Sequence, residues 1–197
     1  MKKESTSRNG TSALVIVLAL AVGFLSGIAF SAWKMKSISG HSASSASAQS
    51  GKLNAMAEAL EAQLRKEPNN PALLVRLGNT YFDTDQYTKA IEAYEKALTI
   101  SPGNPNVLTD LGIMYRRAGQ PEKAIAAFDT AIAANPKHSN AYLNKGIVLV
   151  YDLNRREEAL STWEALREIN PLAMAGNQSI DELINHFKEG HDKEGKK

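Results

Sequence analysis

PALLVRLGNTYFDTDQYTKAIEAYEKALTISPGN at residues 71–104 and PNVLTDLGIMYRRAGQPEKAIAAFDTAIAANPKH at residues 105–138 are one pattern written twice. Each follows an asparagine (Asn70-Pro71, Asn104-Pro105), an N-cap with proline at the first helical position. Small or apolar residues fall at positions 4, 7, 8 and 11 of each unit, a stripe at helical spacing, and a second stripe falls at 20, 24 and 27. The spacing predicts two helices per unit with facing stripes, and Gly119 marks a turn between two of them. Pro68, Pro102 and Pro136 recur every 34 residues and Pro171 follows after 35, which defines a third unit from Ser139 to Leu172. Gly78, Gly112 and Gly146 recur inside the first helices, where glycine costs about 1 kcal/mol relative to alanine. Close approach of the paired helix supplies the reason, with Ala90, Ala124 and Ala159 expected as the small partners across the contact.

In unit one the packing positions hold Leu74, Leu77, Gly78, Tyr81, Ala90, Tyr94, Ala97 and Pro102; unit two has Leu108, Leu111, Gly112, Tyr115, Ala124, Phe128, Ala131 and Pro136. Unit three keeps Tyr142, Gly146, Leu149, Ala159, Trp163 and Pro171 but has Lys145 where leucine is usual, Leu166 where a small residue is usual, and one extra residue between Asp152 and Arg156. The chain in this region resembles the tetratricopeptide-repeat (TPR) family. That resemblance implies an all-α fold, a TPR α-solenoid of three helix-turn-helix repeats (71–104, 105–138 and an irregular 139–172), and a non-enzymatic role in binding a protein or peptide. A solenoid must cover its terminal apolar faces. Residues 52–67 resemble the second helix of a unit whose first helix is missing. Ser179-Ile180-Asp181-Glu182 is a capping-box pattern that opens a C-terminal capping helix over 179–189, and the charged tail 190–197 is expected to be disordered.

Ahead of the repeats, a short basic tail (1–12) precedes ALVIVLALAVGFLSGIAFSAW at 13–33, twenty-one residues without a charge. As a helix this stretch covers the roughly 30 Å hydrocarbon core, so a single transmembrane anchor is expected. A cleaved signal peptide is the rival reading, although its apolar region normally spans only about 7–15 residues. Lys2, Lys3 and Arg8 lie before the span against Lys34 and Lys36 behind it, which favours a single-pass, N-in inner-membrane orientation with the repeats periplasmic in a Gram-negative cell. Gly23 and Gly27 form a GxxxG pair, a possible dimer contact or simply a glycine-tolerant anchor. Residues 34–51, rich in Ser and Ala, read as a flexible tether. The whole chain of 197 residues has a net charge of +2 with basic and acidic residues interleaved, which argues against a nucleic-acid partner.

On the first helix of each unit, positions 2, 5, 9 and 12 lie roughly 140° around from the packed stripe and cannot join the same core. Stacked units turn them into a concave peptide-binding groove of Val75, Asn79, Phe82, Thr109, Ile113, Arg116, Leu143, Ile147 and Val150, flanked by Arg117 and Tyr151. In an open groove, Asn79 is placed to bond the backbone of an extended peptide and the two arginines to pair with a carboxylate. If the C-terminal helix covers the groove, its apolar members are core instead. One TPR subclass grips chaperone C-termini through a two-carboxylate clamp. At those positions this chain has Val75, Asn79, Asp110, Asn140 and Asn144, of which only Asn79 matches, and Asp110 would repel a carboxylate.

No cofactor or metal is expected: the chain has no cysteine, and its four histidines are scattered. Asp83-Thr84-Asp85-Gln86-Tyr87 begins like a calcium loop but lacks the remaining ligands. The reading is a membrane-anchored adaptor for a protein or extended peptide. A narrower version is implied by LNAMAEALEAQLRKEPNNP ahead of TPR units behind one span, which looks like the periplasmic TPR factors of c-type cytochrome maturation that present apocytochrome to the ligation machinery. The other class is a self-associating structural protein, a homodimer without a client.

Overall fold

The computed structural model describes residues 48–194, with side chains as far as Glu189. The described repeats lie in the unit Lys52–Lys197. The anchor at 13–33, its Gly23/Gly27 pair, the basic tail and nearly all of the tether lie outside the described residues. Among the described residues no helix is long and apolar enough to cross a membrane.

Helix α1 is described over residues 48–64. It is followed by three helical hairpins: α2 (Pro71–Asp83) with α3 (Tyr87–Ile100), α4 (Pro105–Arg117) with α5 (Pro121–Ala134), and α6 (Ser139–Tyr151) with α7 (Arg156–Ile169). A small antiparallel ribbon, β1 (Met174–Ala175) and β2 (Gln178–Ser179), leads into α8 (Ile180–Glu194). The Asn-Pro pairs work as caps. Asn70 Oδ1 accepts from the backbone N–H of Ala72 (3.1 Å) and Leu73 (3.2 Å), and Asn104 Oδ1 from those of Asn106 (3.0 Å) and Val107 (3.4 Å). The turn between α4 and α5 passes through Gly119 at φ +72°, a left-handed conformation that glycine adopts without strain.

What the recurrent glycines approach differs from the sequence expectation. A Cβ on Gly78 would lie 2.5 Å from Tyr94 Cε1, one on Gly112 2.5 Å from Phe128 Cε1, and one on Gly146 would overlap Trp163 Nε1. The close neighbours are therefore the aromatic rings at position 24, not Ala90, Ala124 and Ala159. Each ring packs against its glycine and is fully buried, an arrangement that any larger residue would obstruct.

The pattern also extends to α1. The Tyr81 hydroxyl donates to the Glu61 carboxylate, and 34 residues later the Tyr115 hydroxyl donates to Glu95. Glu61 of α1 thus stands to α2 as Glu95 of α3 stands to α4, so α1 holds the place of a second helix. Buried Ala57 and Leu60 join it to the core that runs through the first two hairpins to Val148.

A second core gathers Leu149, Ala159, Trp163 and Leu166 under Ile180, Leu183, Ile184 and Phe187 of α8. The oversized Leu166 is buried there, and the irregular Lys145 keeps its ammonium on Asp129 at 2.5 Å. The capping box forms: Ser179 N–H donates to Glu182 Oε2 (2.8 Å) and Glu182 N–H to Ser179 Oγ (3.2 Å). Two boundaries shift. Residues 48–51, assigned by composition to the tether, are helical, and α8 runs to Glu194 through a segment expected to be disordered. Lys and Glu are good helix formers, and charge alone does not end a helix.

Candidate functional site

The first helices α2, α4 and α6 carry the residues assigned to the binding face, and the structure sorts them into three groups. On α2, Asn79 is exposed while Val75 and Phe82 are half-buried; Ile113 of α4 is half-buried beside the first core. Leu143, Ile147 and Val150 of α6 pack against the C-terminal core, so at this end the apolar residues of the expected groove are partly core. Tyr151 is 64% exposed, its ring edge-on to Phe187 at 5.8 Å.

Thr109 does not line the face. It is buried, its hydroxyl donates to the Pro105 carbonyl (2.7 Å), and its oxygen lies 3.0 Å from His138 Nε2. The hydroxyl proton is committed to Pro105, which leaves the oxygen to accept from the imidazole N–H. The two arginines are also engaged. Arg116 makes a two-point contact with Asp152 (2.5 and 3.3 Å), and Arg117 bonds Asp85 at 2.6 Å while lying over the rings of Phe82 (5.3 Å) and Tyr87 (5.9 Å). Both link successive hairpins, so neither stands free for a client carboxylate.

Between the first two hairpins a cavity of about 240 Å³ opens on this face, lined by Asn79, Phe82 and Asp83 of α2, Tyr94 of α3 and Asp110 of α4. Gly78 is the reason Tyr94 belongs to it: with no Cβ in the way, the phenol crosses α2 and its hydroxyl donates to Asn79 Oδ1 at 2.8 Å. Burial first, then the charges of Asp110 and Asp83, push the Tyr94 phenol up, so it stays a protonated donor. Burial alone pushes the Asp110 carboxyl up to about 6. A larger apolar recess, about 400 Å³, includes Val75, Ala97, Leu98 and Val107. Of the cavity residues, sequence reasoning had assigned Asn79 and Phe82 to the face and read Asp110 only as a charge hostile to carboxylates. Asp110, at position 6 and about 40° from position 2 on a helical wheel, had been set among the clamp positions but not among the residues expected to contact a client.

The Asp110 shift has a consequence for stability. Its folded value lies above that of an exposed aspartate, so its favourable contribution is complete below about pH 4 and is lost as pH rises through about 6. Asp110→Asn is therefore expected to be more stable than the parent at pH 7.5, by about 1 kcal/mol once solvent screening is allowed for, and equal to it near pH 4. His138, lowered by burial, titrates nearby with the opposite sign, its contribution being lost as pH falls below its unfolded value. The difference between parent and variant in chemical denaturation at the two pH values cancels that term. A pH-independent difference would show that Asp110 is not desolvated.

The tetratricopeptide-repeat family matches this chain twice, over residues 69–137 and 109–173. No curated protein matches it. Among solved structures, the crystal structure of MamA is 28% identical over 74% of this chain and 91% of that one, with a TM-score of 0.63. The first TPR of Spaghetti (RPAP3) bound to the HSP90 peptide SRMEEVD is 25% identical over 62% and 93% (TM-score 0.55). The Sgt2 TPR domain from Aspergillus fumigatus is 26% identical over 64% and 82% (TM-score 0.56).

Proposed function

With residues 69–173 formed of tetratricopeptide repeats, we infer that this chain is a non-enzymatic adaptor that holds an extended segment of a client protein on the face made by α2, α4 and α6. The observation that carries this reading is the open cavity between the first two hairpins, lined by the half-buried Phe82 and the exposed Asn79, on a face that also carries the half-buried Ile113 of α4. Such a mixture of apolar pockets and backbone-reaching polar groups suits an extended peptide. RPAP3, a neighbour by fold, has a peptide bound to its first TPR. That peptide, SRMEEVD, is acidic, whereas the cavity of this chain is lined by Asp83 and Asp110.

We further propose that residues 13–33 anchor the chain in a membrane with its N-terminus inside, so that clients are held near the bilayer. The test is affinity capture from detergent-solubilised membranes with the full-length chain, beside a Phe82→Ala/Ile113→Ala variant that leaves the Arg116–Asp152 link intact and whose helicity is verified by circular dichroism. Partners captured by the parent and lost from the folded variant are the expected result. Identical partners with both baits would remove the face from consideration. Recovery of the chain in the soluble fraction before detergent is added would overturn the anchor. Apocytochromes or ligation components among the lost partners would narrow the reading to cytochrome maturation.

A further inference from the structure

We propose that the cavity between the first two hairpins is a subsite for one basic side chain, arginine or lysine, of the client peptide, an inference that rests on the adaptor reading and specifies its ligand chemistry. At about 240 Å³ the cavity is below the usual range for cofactors and drug-sized ligands, and of a size for the end of a long side chain.

The polar groups facing it are nearly all acceptors. Asp83 and Asp110 bring carboxylates, and neither has a hydrogen bond or ion pair among the described residues. The Tyr94 hydroxyl has given its proton to Asn79, which leaves its own lone pairs for an incoming donor. Only the Asn79 amide offers N–H groups. Phe82 supplies an aromatic wall, and Arg117, which lies over that ring, is already committed to Asp85. A donor-rich cation is complementary to this set, whereas a client carboxylate would be repelled.

The feature is peculiar to the first boundary. Thirty-four residues on, the places of Asn79, Phe82, Asp83, Tyr94 and Asp110 are taken by Ile113, Arg116, Arg117, Phe128 and Asn144. Phe128 lies against Gly112 as Tyr94 lies against Gly78, but it has no hydroxyl to deliver. The acidic, phenol-tipped cavity therefore does not follow from the repeat architecture. Its carboxylate also loses hydration on folding without gaining a partner from the fold, a deficit that a bound cation would relieve.

The experiment is fluorescence anisotropy of the full-length chain in detergent with octapeptide pools, each with one position fixed as Arg, Lys, Glu or norleucine and the others mixed. Pools with Arg or Lys fixed at one position are expected to bind about ten-fold tighter than their Glu or norleucine counterparts, the effect of one charge-assisted contact. Asp110→Asn, which preserves shape, is expected to reduce that advantage to about two-fold or less while norleucine pools bind as before. Pools that bind the parent with no basic preference, or with a preference that Asp110→Asn leaves unchanged, would overturn the subsite and leave the adaptor reading standing. Failure of every pool to bind the parent would overturn both.

Discussion

Trp163→Ala is expected to destabilise the C-terminal end of the array by about 3–5 kcal/mol, the usual cost of truncating a buried aromatic residue. The indole is fully buried and lies against Gly146, and its Nε1–H donates to the Leu143 carbonyl at 3.2 Å. Its ring is 5.4 Å from that of Phe187, so one side chain joins both helices of the third hairpin to α8. Alanine there leaves a cavity lined by Leu149, Leu166 and Ile184 and an unpaired carbonyl beside it. Because the first two hairpins have their own core, and solenoid stability is a sum over neighbours, the loss should be local. Native-state hydrogen exchange should show α7 and α8 losing protection while α2 to α5 keep most of theirs. Equal loss along the array would mean that the two cores unfold as one.

Adjacent residues carried most of the fold legibly. The Asn-Pro caps, the capping box at Ser179 and Glu182, and the 34-residue period each involve residues within one or two turns, or a repeat that can be counted directly. Facts that depend on the rotation of one helix against another were not legible. The recurrent glycines announced a close approach but not its partner, and Tyr94, Phe128 and Trp163 occupy the place given to alanines. Thr109 was placed on the binding face by its position, yet His138, 29 residues away, closes over it. Arg116 and Arg117 had carboxylates ready 36 and 32 residues further along or back, and no periodicity pairs them. The ribbon at 174–179 left only a faint trace, the two-residue Gly176-Asn177 link, with Gly176 at φ +64°. The candidate site suffered most, because it is made where a phenol passes from one helix across another.

Gly112→Val separates the two forces that act at the recurrent glycine, since they predict opposite signs. Valine is the better helix former, so on propensity alone the variant would gain a few tenths of a kcal/mol. Packing predicts the reverse. A Cβ at this position meets Phe128 Cε1 at 2.5 Å and Cδ1 at 2.8 Å, and the two methyl groups beyond it need further room. Phe128 has nowhere to go, being fully buried in the first core. The expected outcome is a loss at or above the upper end of the roughly 1–3 kcal/mol typical of overpacking. The α4–α5 hairpin is the middle of the three, so its disruption should lower the thermal midpoint of the whole array, unlike that of Trp163 at the end. A second substitution decides whether the ring is the cause. Phe128→Leu alone should destabilise by opening space, but combined with Gly112→Val it should recover part of the loss, because the methyl groups then occupy the volume the ring has left. Additive losses in that double-mutant cycle would place the strain in the backbone of α4, and the account of the glycine as a seat for the ring would fail.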